Sequence, residues 1–186
     1  QLEQWRIRDA RVEWFSEPDD GPADALNKAL ARAKGDWIGW LNADDTYQPG
    51  ALGRMIGALR GNPELLMVYG HGQHIDATGE FLELYPTKRP EAGIEAFQQH
   101  CFICQPTAVI NKKLLERVGG FNRKCKYAFD LDLWLRIFAE SPEAMGFIEA
   151  VQASTRIHEN SITATRQWQI NLECAKLLKQ TFGTAK

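Results

Sequence analysis

Trp37-Ile38-Gly39-Trp40-Leu41-Asn42-Ala43-Asp44-Asp45 opens on a continuous apolar run, Trp37–Leu41, and ends in two adjacent carboxylates. A run of five residues bounded by polar ones reads as a strand buried on both faces, as in a parallel sheet with helices on either side. In open α/β sheets ligands bind at the carboxyl ends of strands. Carboxylates fixed there can hold a hard divalent cation, which in turn grips a diphosphate. The same two acids could equally cap the helix that Pro49 opens, or face water.

Working outward, the elements alternate. Val12-Glu13-Trp14-Phe15 reads as a short strand. Gly21-Pro22 opens a helix whose apolar face is Leu26, Ala29, Leu30 and Ala33, and Gly35 closes it. A second helix runs from Pro49 to about Leu59. Leu66–Gly70 is a strand, and Ile75-Asp76 and Glu80-Phe81-Leu82 flank a turn at Ala77-Thr78-Gly79, as in a hairpin. Ala108–Ile110 is a strand before a helix at 112–118, which Gly119-Gly120 breaks. Leu131, Trp134, Leu135 and Phe138 then form one stripe of a strongly apolar helix. Phe147–Val151 is a last strand and Gln167–Phe182 a closing helix. Strands alternating with helices predict an α/β fold in one domain.

Composition narrows the function. A length of 186 residues and an apolar fraction of 44% allow one real core. A net charge of −2 supplies no broad basic field, so nucleic acid is not the expected partner. No apolar run approaches the ~20 residues of a membrane span. Cys101, Cys104, Cys125 and Cys174 are too few for a disulfide scaffold, which favours a reducing cytoplasm. Cys101 and Cys104 make a single Cys-x-x-Cys pair beside His100, without the second pair a structural zinc site needs, so packed thiols are expected. His71 and His74 resemble metal ligands by spacing only. Gln1-Leu2-Glu3-Gln4-Trp5-Arg6 has neither an initiating Met nor a signal-peptide core, and reads as a cut or trimmed start.

The motifs narrow it further. Ser16-Glu17-Pro18-Asp19-Asp20-Gly21, Asp24-Ala25-Leu26-Asn27-Lys28, Gly35-Asp36, Leu41–Asp45 and Pro49-Gly50 follow one another in order. After them come Val68-Tyr69-Gly70, Gln105-Pro106-Thr107, Gly119–Asn122, Asp130–Arg136 and Arg156-Ile157-His158. In order and spacing, residues 12–165 resemble the inverting family 2 glycosyltransferases. The resemblance implies a GT-A type α/β/α sandwich, a nucleotide-sugar donor, a glycan or lipid-linked acceptor, and Mg²⁺ or Mn²⁺ as cofactor. It implies Asp45 as metal ligand and Asp44 beside the ribose and diphosphate. Glu17, Asp19, Asp24 and Lys28 would line the nucleotide side, and His158 would lie near the donor phosphates. Asp130 matches the catalytic base, with Asp132 the lesser candidate and Arg136 a structural residue or the partner of an acid. On the bland side, Lys28 reads as a solvated helix lysine, Asp130 as the N-cap of a helix beginning near Leu131, and His158 as a surface histidine.

Residues 1–60 would then form the donor and metal side, 61–165 the acceptor side with the base, and 166–186 the closing helix. Phe129 stands where the family has an acid before the base; Ala23, Ala29 and Asn42 are further departures. The family's opening strands, which hold the nucleobase, are not legible before Val12. An N-terminally incomplete domain is therefore expected, with weak, base-insensitive nucleotide binding and self-association at an exposed sheet edge. The expected role is a transferase in surface-polysaccharide or lipid-linked glycan synthesis, located in the cytoplasm or at the inner membrane face with peripheral attachment. The alternative is an inactive GT-A-like binding module. A nucleotidyltransferase would want a Gly-rich phosphate loop, which is absent.

Overall fold

The computed structural model describes residues 9–159 and 161–183; the reading of Gln1–Arg6 falls outside them. Six strands form one mixed sheet: β1 (Trp37–Ile38), β2 (Thr46–Tyr47), β3 (Met67–Ile75), β4 (Phe81–Leu84), β5 (Val109–Asn111) and β6 (Met145–Arg156). Their order is β1-β5-β3-β6-β2, with β4 paired to the outer half of β3. Only β3 and β6 are parallel; β1–β5, β5–β3, β2–β6 and β3–β4 run antiparallel.

Helices cover both faces, and side-chain alternation assigns them. Met67, Tyr69 and Ile110 point into the larger core, built with α1 (Pro22–Arg32), α3 (Lys112–Arg117), α4 (Phe129–Glu140) and α6 (Gln167–Phe182). Their strand neighbours Val68 and Val109 point to the opposite face, against Ala51, Met55 and Leu59 of α2 (Ala51–Gly61). A short helix, α5 (Ile162–Thr165), precedes α6. The result is the α/β/α sandwich expected of the GT-A type.

Four local expectations are corrected. Val12–Phe15 forms no strand: Lys34 holds Glu13 at 2.6 Å and the Arg32 guanidinium covers the Phe15 ring, so side chains of and just after α1 anchor the segment. The strand expected over Trp37–Leu41 shrinks to Trp37–Ile38, at the sheet's end rather than its centre. Trp37 and Leu41 are correspondingly exposed, and Trp40 alone of the three aromatic and leucine side chains is buried. Helix α1 stops at Arg32, before Gly35, because Ala33 turns to an extended backbone. The N-cap of α4 is Ala128, so Asp130 lies inside the first turn and does not cap it.

The β3–β6 pairing is the spine of the sheet and is irregular at its middle. Gly70 pairs with Ile148 but His71 with Val151, and a further residue is skipped before Gly72 meets Ala153. The bulged β6 backbone crowds Gly70: a Cβ there would stand 2.7 Å from the Ile148 carbonyl oxygen. At Gly72 a Cβ would fall 2.3 Å from the Cys104 sulfur. Glycine is thus required by close approach at both positions. Beyond the bulge β6 pairs with β2 and runs on to Arg156, beside the loop after β1.

Candidate active site

That loop and that strand end meet. Asp45 is almost fully buried, and its two oxygens have different partners: Oδ1 accepts the Arg156 backbone N–H at 3.0 Å and Oδ2 accepts Asn42 Nδ2 at 2.9 Å. Burial raises the Asp45 carboxyl pKa, partly offset by those two donors. Asp44 presents its carboxylate to His158 Nε2 at 3.1 Å. The Arg156 guanidinium donates to the Asp44 carbonyl at 3.0 Å and to the carbonyls of Asp76 and Ala77 at 2.8 and 3.1 Å. One arginine therefore ties the twin acids to the β3–β4 hairpin. Gln105 completes the corner, donating to the Trp40 carbonyl at 2.6 Å while its oxygen accepts from Asn42 at 3.2 Å.

Asp130 stands in the first turn of α4, where it accepts the Leu131 N–H at 2.8 Å. Burial pushes its carboxyl pKa up, and the Glu173 charge adds to the rise. One contact relates this helix to the twin-acid corner, and a second relates the loop before it. The Trp40 ring stacks on Trp134 of α4 at 5.6 Å and meets Phe121 edge-on at 5.0 Å. Cys104 is fully buried, and its thiol pKa is raised by burial and then by the charges of both Asp45 and Asp130. Both acids thus lie within electrostatic reach of one thiol.

The start of α4 is held by side chains from elsewhere. Glu173 of α6 accepts the backbone N–H groups of Lys126, Tyr127 and Ala128 at 2.9, 2.7 and 2.7 Å, placing an anion at the positive end of the helix. Asp132 is buried and committed: it accepts from Asn122 at 2.9 Å and pairs with Arg136. Arg136 is the partner of an acid, as expected.

The acidic stretch near the start forms a separate group. Lys28 bridges the Pro18 carbonyl at 2.7 Å and Asp24 at 2.9 Å, and its ammonium holds the Asp24 carboxyl below the usual range. Asp24 also meets Arg123 at 3.1 Å. Glu17 pairs with Arg32 at 2.9 Å, and Asp19 accepts the Gly21 N–H at 2.9 Å. Glu17, Asp19 and Lys28 line one surface hollow. Among the described residues no hydrogen bond or ion pair joins them to Asp44 or Asp45. Asn27, from the same motif, exchanges two hydrogen bonds with the Phe121 backbone at 2.7 and 2.9 Å and locks α1 to the loop before α4.

His74 accompanies the corner more closely than its spacing suggested. Its Nδ1 lies 2.7 Å from Thr155 Oγ1; burial lowers its pKa, and Glu83 and Asp45 oppose the shift. His71 instead meets Glu149 at 3.1 Å. All four cysteines are free thiols. Among the described residues no group of three or more His, Cys, Asp or Glu side chains stands ready for a metal, and no helix is long and apolar enough to cross a membrane.

A family model described as Glycosyl transferase family 2 matches residues 1–119. An uncharacterized glycosyltransferase of Rickettsia typhi is 26% identical over 161 residues, covering 83% of this chain and 50% of its own length. An O-antigen biosynthesis protein of Myxococcus xanthus is 28% identical over 142 residues, covering 76% of this chain and 11% of its own. The chain thus spans half or less of these relatives. Among solved structures, a mannosyltransferase of Pyrobaculum calidifontis in complex with GDP-Man and Mn²⁺ superposes with a TM-score of 0.65 at 18% identity, over 100% of this chain and 51% of the other.

Proposed function

The chain belongs to glycosyl transferase family 2, and on that premise we propose that it carries the catalytic corner of a metal-dependent, inverting sugar transfer from a nucleoside-diphosphate donor to a glycan or lipid-linked acceptor. The observation that carries the reading is the convergence of Asp44, Asp45 and His158 around the end of β6, with Asp130 in the helix whose Trp134 stacks on Trp40.

Asp45 is the proposed metal ligand, with Asp44 and His158 on the diphosphate side. The residues fit a divalent ion by their chemistry. Each Asp45 oxygen accepts one hydrogen bond and keeps a second lone-pair site. A small hard cation needs only one or two carboxylates when substrate phosphates and water complete its shell. When bound, such an ion neutralises charge on the departing diphosphate. The mannosyltransferase with GDP-Man and Mn²⁺ supports this choice of cofactor and donor class.

Asp130 is the proposed general base. The acceptor oxygen bonds to the anomeric carbon, the bond to the diphosphate breaks with its electron pair leaving on oxygen, and the acceptor proton passes to an Asp130 oxygen. A carboxyl pKa raised by burial makes Asp130 a stronger base than an exposed aspartate. Glu17, Asp19, Asp24 and Lys28 are proposed for the nucleoside side of the donor, where Lys28 would have to exchange its Asp24 contact for phosphate. The relative named for O-antigen biosynthesis supports a role in polysaccharide assembly.

The test is release of nucleoside diphosphate from UDP- and GDP-sugars by this chain, with and without Mn²⁺. Release from at least one donor should require the metal and disappear in Asp45→Ala. Metal-independent release that survives Asp45→Ala would remove the basis of the reading.

A further inference from the structure

Helix α6 has two apolar faces. Cys174, Leu177, Leu178 and Phe182 pack on the larger core. Beside that face, toward the loop before α4, Trp168 and Leu172, one helical step of four apart, are exposed, Trp168 by 75%. They form one wall of an open groove whose other wall is the loop from Asn122 to Tyr127. Through Cys125 and Tyr127 the groove continues into a second hollow that ends at Ile162, itself half exposed. A tryptophan at this exposure, with Leu172 and Ile162 beside it, is a large apolar patch for a water-facing surface.

Cations outnumber acids around the patch. Lys124 and Lys176 line the first hollow and Lys126 the second, where Arg123 is paired with Asp20 and Asp24. Lys179 continues the outer stripe of α6 two turns beyond Leu172, and Arg166 precedes Trp168; both are exposed. The acids lining the two hollows, Glu173 and Asp20, are engaged: Glu173 accepts three backbone N–H groups and Asp20 lies 3.5 Å from Arg123. A basic rim around exposed Trp, Leu and Ile, on a chain whose net charge is −2, complements an anionic apolar surface.

We propose that the face formed by Ile162, Trp168 and Leu172 with Lys124, Lys126 and Lys176 docks on an anionic phospholipid bilayer. Trp168 and Leu172 enter the interfacial layer while the lysines meet lipid phosphates. Glu173, on the same helix, caps α4, so the docked surface adjoins the turn that carries Asp130.

Flotation of the 186-residue chain with phosphatidylcholine vesicles, alone or with about one-third phosphatidylglycerol, tests this. Binding should favour the anionic vesicles by at least about tenfold and fall as salt rises. Trp168→Ser/Leu172→Ser should weaken it about tenfold or more. Lys124→Gln/Lys126→Gln/Lys176→Gln should abolish the preference for anionic lipid, each lysine near the surface being worth about fivefold. All five substituted side chains are on the surface, so circular dichroism should show both variants folded. Equal binding to both vesicles, no binding to either, or binding unchanged in the variants would overturn the proposal. A concentration-dependent dimer lost in Trp168→Ser/Leu172→Ser, without vesicle binding, would assign the face to a second copy and overturn it as well.

Discussion

Burial raises the carboxyl pKa of both Asp45 and Asp130, and the two residues differ in what opposes it. Asp45 has the Arg156 backbone N–H and the Asn42 amide; Asp130 has backbone N–H groups of its own turn, with the Glu173 charge adding to the rise. The sign of the consequence is fixed. A carboxyl whose folded pKa exceeds its unfolded value of 3.8 keeps its proton longer when folded. Stability contributed by that proton is present at low pH and is lost as pH rises through the folded value. Asp130→Asn cannot ionise, so it should melt higher than the parent at neutral pH, with the difference closing as pH falls toward about 4. In a transfer assay the same variant should lose about 10²-fold or more in turnover. Calorimetric melting across pH, paired with kinetics, checks both halves. A variant less stable at neutral pH would show that the carboxylate is stabilised by its surroundings rather than strained by them.

At the scale of elements, β3 and β6 decide where the site is, and glycine decides how they pair. Gly70→Ala drives a Cβ to within 2.7 Å of the Ile148 carbonyl oxygen, which is backbone and can yield only by shifting the bulge. Urea unfolding should place this variant about 1–3 kcal/mol below the parent. Gly53, inside α2, meets nothing within 4 Å, so Gly53→Ala should instead add about 0.5–1 kcal/mol through helix propensity and a less flexible unfolded chain. Opposite signs from the same substitution separate close approach from conformational freedom. Two changes of like sign would mean that the bulge relaxes at no cost.

For the whole molecule, the question is whether two apolar clusters make one folding unit. The larger lies on one face of the sheet and the smaller, around Met55, on the other. They share β3 and β5, because Met67 and Ile110 face one cluster while Val68 and Val109 face the other. Neither helix layer can leave without exposing strands that the other still needs. Thermal unfolding should therefore be one transition, with far-ultraviolet circular dichroism and tryptophan fluorescence coincident. The buried Trp40 and Trp134 report the larger cluster, and secondary structure reports both. Transitions separated by several degrees would show that the α2 layer melts alone.

The linear sequence by itself determined the alternation of elements, the hairpin at Asp76–Glu80, the apolar stripe of α4 and the bounds of α6, because periodicity and turn chemistry are local. Its motifs also placed Asp44, Asp45, Asp130 and His158 on the candidate list. Other features depend on distant partners. Trp37–Leu41 is apolar enough for a central strand, yet its pairing with β5 alone puts it at the sheet's end. Arg156 carried no signal beyond its place before His158; its grip on Asp44, 112 residues earlier, and on Asp76 and Ala77, 80 and 79 residues earlier, exists only where the end of β6 meets both segments. Glu173 read as an ordinary helix glutamate until the packing of α6 on α4 set it over three free N–H groups. Hydrogen bonds and charges act over a few ångströms in space, and separation along the chain does not encode that distance.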